Sequence, residues 1–564
     1  MSVSVAARRP LRGLVRKHGA MWRLPFPTLR VFAVCAAAVA AASCATVRTA
    51  SSPDAGARVL RVGLVQQPNS LDPLHAVQFY ENYLAEATSS ALVVLDDSGN
   101  PSPDLAREVP TLANGGISRD GKTIIYHLRP NLRWQDGVRL TSRDVAYTFA
   151  RMMDPKTAFP EATVYSAIAS LATPDAATVV LHLRSPWADA TSQLFVGGQD
   201  GSIVPEHVLR GVTDLTTSTF EAKPLGSGPY TVESWRRGDR IVLRANPLYF
   251  RGRPAIDRID VVFVPDANTL NLRVKSGELD FSPQITTEFA ASLHDTPALR
   301  VRAVPTYTAV EIGFEGRVPP FDDARVRRAL LAAVDRRRIV TTVYRGFAVA
   351  ADDLVPPQSA FHVAAPEVRE SGDLRAAGAL LDAAGWQPGA GGVRRKDGRP
   401  LAFSLTVASG YEALLKTAVQ VQSTWRALGA DVALRPIQVN MMYAPGTGVM
   451  QSGNFQAALY TDGYATSPDR ADTLSTAAIP PGGRNYYRFS DRDVDRWTAA
   501  ARVNADATVR RRLYAAIARR VRELAPAYPL LWIDQRYVYT GALDGFRPEP
   551  VNSDFWNVWA WRWR

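Results

Sequence analysis

At 564 residues, with 46% hydrophobic and 21% charged side chains, the chain has a globular balance and room for two or three domains, which excludes a disordered or membrane-embedded protein. The net charge of +12 is concentrated at the N-terminus: the first 44 residues hold seven cations and no acid, leaving +5 on the rest. That excess is modest for the size, and no Lys/Arg block with interleaved aromatics accompanies it, so the sequence argues against a nucleic-acid partner.

In chain order, a basic stretch ends at Arg30, residues 31–42 are apolar, and Ala41-Ala42-Ser43-Cys44 follows. The apolar run is shorter than the about 20 residues a membrane-spanning helix needs, and residues 1–44 read as an export signal. Ala-Ala-Ser-Cys is similar to a bacterial lipobox, in which the cysteine is diacylated after cleavage before it; Ala41 stands where Leu is usual. Cys35 and Cys44 are the two cysteines, so the body holds no disulfide and no thiolate metal site. Residues 45–57 are small and polar, a tether between membrane and fold.

Alternating or β-branched runs predict strands at 58–65, 123–128, 178–183, 240–244 and 259–264. Thr141, with Asp144 at the capping-box position, predicts a helix running to Asp154-Pro155. Asp322 or Asp323 starts another, whose buried face carries Val326, Ala329, Leu330, Ala333 and Val334. Further helices are expected over 374–384, 413–428 and 506–524, and Trp559, Trp561 and Trp563 alternate as in a closing strand. The mixture predicts α/β (mixed α+β) layers.

Catalytic motifs find little support. Gly116–Thr123 matches the phosphate-loop text G-x-x-x-x-G-K-T, but a strand-like run closed by Pro130 follows it where that loop needs a helix. The seven histidines are scattered, with no H-E-x-x-H; His127 and His182 fall inside strands as paired polar residues. Gly226-Ser227-Gly228 lacks the spacing of a nucleophile elbow. The adjacent pairs Asp96-Asp97, Asp322-Asp323 and Asp352-Asp353 are expected to cap or solvate turns. No cofactor or metal is called for.

Three stretches carry a family resemblance. Leu128-Arg-Pro-Asn-Leu-Arg-Trp134-Gln-Asp136-Gly137-Val-Arg-Leu-Thr141-Ser-Arg-Asp144-Val145 is the first. Gly226-Ser-Gly228-Pro229-Tyr230 through Trp235, then Asn246-Pro247-Leu-Tyr249-Phe-Arg-Gly252, is the second. Asp323-Ala-Arg325-Val326-Arg327-Arg328-Ala329-Leu330 with Asp335-Arg336 is the third. In this order, and across essentially the whole mature chain, they resemble the peptide/nickel class (family 5) of extracytoplasmic solute-binding proteins, which includes dipeptide- and oligopeptide-binding proteins. Asn131 and Ser142 depart from the usual Gly and Ala.

The resemblance implies a two-lobed periplasmic-binding-protein-like fold: lobe I over 58–303 and 531–564, with an inserted subdomain near 96–214, and lobe II over 304–530. Crossings are expected at 301–304 and 530–533. It further implies a monomeric binding protein, not an enzyme, which closes on a peptide or peptide-like ligand and delivers it to the permease of an ABC transporter, held at the membrane by lipid on Cys44. Peptide binders of this class pair the ligand ammonium with an aspartate of lobe II, because an unpaired buried charge is costly. The matching stretch here offers Asp462, with Asp469 as the alternative; Tyr460, Tyr464, Phe79 and Tyr80 are candidate cleft walls. Gln456 replaces the usual acid after Phe455, which keeps a sugar, an opine or a metal chelate open as ligand, beside a ligand-sensing subunit or an exported hydrolase as roles.

Overall fold

The computed structural model describes residues 58–564 apart from 77, 199–200, 213–218, 284, 294, 370–371, 445, 465 and 552–553. The export signal, the tether, Cys44 and His294 therefore lie outside the described residues. An eleven-stranded mixed sheet forms the spine. Its order is Asp431–Ile437, Ala402–Ala408, Ala457–Gly463, Leu299–Phe314, Ala527–Thr540, Phe281–Ser282, Val59–Leu64, Arg258–Phe263, Arg240–Ala245 and Tyr230–Arg236, with Ala348–Ala350 added along Ala527–Thr540.

Leu299–Phe314 and Ala527–Thr540 are the long members, antiparallel to each other over most of their length. One end of this ribbon enters a core built from Val310, Phe314, Leu330, Phe403, Trp425, Tyr514 and Leu530. The other enters a core of Leu60, Val62, Tyr83, Tyr230, Val261, Tyr537 and Trp561. A third core, Leu92, Tyr126, Trp134, Val145, Tyr165, Leu181 and Phe195 among its members, gathers on a separate three-stranded antiparallel sheet of Thr123–His127, Thr178–Leu183 and Ile168–Asp175.

The predicted elements form for the reasons the sequence offers. Thr141 and Asp144 make the capping box of helix Ser142–Met153, with the Thr141 N–H donating to Asp144 Oδ2 at 2.8 Å. Asp323 accepts from the Arg325 N–H at 2.8 Å and caps Ala324–Ala333; Asp506 does the same for Ala507–Leu524. The segment read against the phosphate-loop pattern turns at 118–121 and enters the strand Thr123–His127.

The resembling motifs dock on one another. Gln135 Nε2 donates to the carbonyls of Thr88 (3.1 Å) and Tyr230 (2.8 Å), while its Oε1 accepts the Gly226 N–H (3.1 Å). A Cβ on Gly226 would stand 1.9 Å from the Thr88 oxygen, so only glycine lets this loop close. Buried Arg327 donates from Nε to the carbonyls of Leu524 and Ala525 at 3.0 and 3.1 Å, satisfying the end of helix Ala507–Leu524.

Two expectations are corrected. Trp559, Trp561 and Trp563 do not share a strand: Val558–Ala560 is a 3-10 turn, and only Arg562–Trp563 pairs, with Leu543–Asp544. Local bonds hold the turn, the Ala560 N–H on the Asn557 carbonyl (2.9 Å) and Trp561 Nε1 on Asn557 Oδ1 (2.8 Å). Trp561 is still fully buried, against Phe281, Phe546 and Phe555. Asp352 and Asp353 are not solvated: both are buried, Asp353 accepts the N–H groups of Leu354 and Val363, each at 2.7 Å, and Asp352 Oδ1 lies 3.4 Å from His362 Nε2.

Candidate ligand-binding site

The strand Ala457–Gly463 runs antiparallel to Leu299–Phe314, setting Tyr460 opposite Glu311 and Asp462 opposite Ala309. Tyr460 and Asp462 share a face because side chains alternate along a strand. Glu311 is the centre of a buried network. It accepts the hydroxyls of Tyr460 (2.8 Å), Tyr464 (2.7 Å) and Tyr487 (3.4 Å) and Nη2 of Arg470 (3.0 Å). Arg470 stacks its guanidinium 3.6 Å from the Tyr464 ring centre and donates from Nη1 to the Leu354 carbonyl at 2.8 Å. Burial, with the Glu311 carboxylate beside them, pushes the Tyr464 and Tyr487 hydroxyls well above the ordinary phenol range. They are therefore neutral donors at physiological pH. Every charge in this network is answered from inside the protein.

Two residues further along the strand the environment changes. Asp462 Oδ1 accepts Arg484 Nη1 at 2.9 Å, and Arg484 also grips Asp472 Oδ2 through Nε (2.8 Å) and Nη2 (2.7 Å). The Asp462 side chain is 17% exposed, Arg484 40% and Asp472 50%, so water reaches this cluster. Burial raises the Asp462 pKa, opposed by the Arg484 charge. The two carboxylates raise the Arg484 pKa beyond what burial takes away. The Asp462–Arg484 pair is thus open to water, unlike the sealed Glu311–Arg470 pair one turn of the pleat away.

Asp469 is placed differently. Its Oδ1 accepts the Ala471 N–H at 2.9 Å, Arg502 Nε lies 3.7 Å from Oδ2, and burial raises its pKa. Phe79 and Tyr80 open helix Phe79–Thr88, which packs on the core of the first strand rather than on that of Asp462. Phe79 is half exposed; Tyr80 is buried edge-on to Tyr83, its hydroxyl pushed up to about 12 by burial. Gln456 links strands, its Oε1 accepting both Ser404 N–H (2.9 Å) and Ser404 Oγ–H (3.1 Å). Among the described residues no group of three or more His, Cys, Asp or Glu side chains is placed to hold a metal ion.

Sequence reasoning missed Glu311, Arg470, Arg484 and Asp472. Glu311 carried a readable signal, one carboxylate inside the apolar run Ala309-Val-Glu-Ile-Gly-Phe314. The two arginines carried none, being ordinary residues in loops that only the fold brings to the strand.

The model of bacterial extracellular solute-binding proteins, family 5 Middle, matches residues 100–483, which takes in the three resembling stretches, the strand Leu299–Phe314 and the Asp462 strand. The chain belongs to that family. It is 29% identical over 531 residues to Protein XP55 of Streptomyces lividans, covering 92% of each chain. It is 24% identical over 555 residues to the oligopeptide-binding protein AppA of Bacillus subtilis, covering 97% of this chain and 99% of the relative. The structure of that AppA with a nonapeptide overlays with a TM-score of 0.72 at 23% identity, over 90% of this chain and 99% of AppA. NikZ of Campylobacter jejuni, in complex with Ni(L-His), gives 0.73 at 21% over the same 90%, covering 99% of NikZ. The family 5 chain thus has the two-lobed solute-binding fold in mixed α/β layers, and family 5 proteins work outside the cytoplasm. No helix among its described residues is long and apolar enough to cross a membrane.

Proposed function

We propose that this family 5 protein captures peptides or peptide-like ligands between lobe I (58–303 and 531–564, with the inserted subdomain near 96–214) and lobe II (304–530), and delivers them to the permease of an ABC transporter. It acts as a monomer without catalysis, lipid-anchored through Cys44 on the outer side of the cell membrane. Asp462 is the ligand's ammonium partner; Tyr460 and Tyr464 back its strand on the lobe II side of the cleft, and Phe79 and Tyr80 stand on the lobe I side. The observation that carries the reading is the part-exposed Asp462–Arg484 pair at the end of the strand that meets the crossing ribbon. Arg484 holds the carboxylate until the ligand's ammonium displaces it. Near-full-length similarity to an oligopeptide-binding protein supports the peptide class.

A second reading rests on the same pair. If Arg484 stays in place, its outer edge offers a bidentate partner to a ligand carboxylate, which suits an opine or an amino-acid chelate better than a peptide N-terminus.

A thermal-shift screen of peptides of two to nine residues, opines, sugars and nickel–histidine separates them. A ligand at 100 times its Kd stabilises the native state by about 2.7 kcal/mol. Peptide hits lost in Asp462→Ala support the first reading; hits confined to carboxylate ligands and lost in Arg484→Gln support the second. Stabilisation that survives Asp462→Ala sinks the assigned role of that residue. Palmitate labelling that disappears in Cys44→Ala tests the anchor.

A further inference from the structure

The core on the three-stranded sheet touches the Asp462 half of the molecule at a compact polar junction. Trp187, Ala188 and Asp189 enter it from one side, next to Ala190 of that core. Ser467, Asp469, Arg502 and Arg510 enter from the other. Asp189 Oδ2 accepts both Arg510 Nη2 (2.5 Å) and Ser467 Oγ (2.6 Å). The Ala188 N–H donates to the Arg502 carbonyl at 2.9 Å, and the Arg502 guanidinium lies 5.5 Å from the Trp187 ring centre. The Asp189 and Arg510 side chains are only 11% and 8% exposed, and Arg510 is backed by the Phe361 ring at 4.8 Å. Nearby, Gly99 also meets this half, so close that a Cβ there would stand 2.7 Å from Thr466 Cγ2.

A charge pair this sheltered from water differs from the surface ion pairs that add little. Its position matters as much as its strength. Ser467 and Asp469 follow Asp462 by five and seven residues, on the segment that leaves the ligand strand. Arg470, next in line, anchors that segment to Glu311.

We infer that Asp189 is a cross-lobe latch: its bonds to Arg510 and Ser467 hold the two halves of the cleft together and tie that closure to the segment carrying Asp462. Breaking it frees the inserted region to move away from lobe II, and the Ala188 amide then loses its acceptor. The latch goes beyond the capture reading, and its readout needs no ligand.

The test uses the full chain, comparing wild type with Asp189→Asn, Arg510→Gln and the double variant by small-angle X-ray scattering and amide hydrogen exchange. The expected result is a larger radius of gyration in each single variant and exchange at Ala188 faster by roughly tenfold or more. The double variant should be no worse than Asp189→Asn alone, because the bond that Arg510→Gln removes is already broken there. Since Arg510→Gln alters a buried helix position, Ser467→Ala gives the same reading without it: faster Ala188 exchange, by less than Asp189→Asn. Unchanged radius and exchange in Asp189→Asn and Ser467→Ala overturn the latch, as does full additivity in the double variant. A peptide screen that fails while the latch responds overturns the ligand class alone.

Discussion

Glu311 in the larger core and the pair Glu86 and Asp554 beside the first-strand core are all nearly inaccessible to water, yet they are accommodated differently. Glu311 sits against Arg470 and three tyrosine hydroxyls. Glu86 accepts the Phe555 N–H at 2.9 Å and Asp554 accepts the Tyr537 hydroxyl, and among the described residues no ion pair reaches either. Burial, with Glu549 as a like charge, holds the Glu86 carboxyl well above its usual range. Burial alone pushes Asp554 up to about 7. Glu311 is given a counter-ion, whereas at Glu86 and Asp554 burial favours the protonated form. Glu311 also lies beside the strand that carries the candidate ligand aspartate, Asp462.

The sharpest way to break this contrast is Arg470→Met, which leaves Glu311 buried without its cation. A loss of about 3–5 kcal/mol in denaturant unfolding is expected. Adding Glu311→Gln to it should recover much of that loss; no recovery would mean the pair is not a unit.

The next effect is pH-dependent. The folded Asp554 pKa of about 7 lies above the ordinary unfolded value near 3.9. The native state therefore holds the extra proton, and this contribution to stability is complete below about pH 4 and lost as pH rises to about 7. The slope is at most about 1.4 kcal/mol per pH unit inside that window. Asp554→Asn should flatten stability against pH there, measured by urea unfolding at several pH values; an unchanged slope would place the proton elsewhere.

Smaller is Tyr460→Phe, which removes one hydroxyl from the Glu311 carboxylate and should cost about 2 kcal/mol by thermal or urea unfolding. Smallest is Arg484→Ala: as a part-exposed pair it should shift stability by no more than about 1 kcal/mol. It should still change which ligands stabilise the protein. A large loss of stability there would make Arg484 a structural residue and narrow the difference between it and Arg470.

The scaffold was legible because its signals are local. Thr141 with Asp144, Asp323 before an apolar face, and the Gly-Ser-Gly turn each declare themselves within a few residues. Trp561 shows the limit of periodicity, since the same alternation fits a strand and a turn whose bonds come from Asn557. The site was half legible. Asp462 is named as a candidate from the motif around it, but Arg484, which pairs with it in the fold, is 22 residues away with nothing in its neighbours to mark it. Asp189 and Arg510 are separated by 321 residues and are joined only by the packing of two cores. Ion pairs made by folding leave no trace in composition.

The paired strands Leu299–Phe314 and Ala527–Thr540 bear on how such a molecule flexes. Two separate linkers would let its halves slide, twist and swing independently. On the proposed lobe boundaries both connections are plies of one hydrogen-bonded strip, interrupted in register between Pro305 and Ala309, where Thr306 Oγ1 donates to the Ile533 carbonyl at 2.7 Å. A strip of this kind is stiff within its plane and compliant across it, so the allowed motion reduces to curvature about one axis. The register break lies a few residues from the Tyr460–Asp462 face. A modest change of curvature there becomes a wide displacement at the far rims.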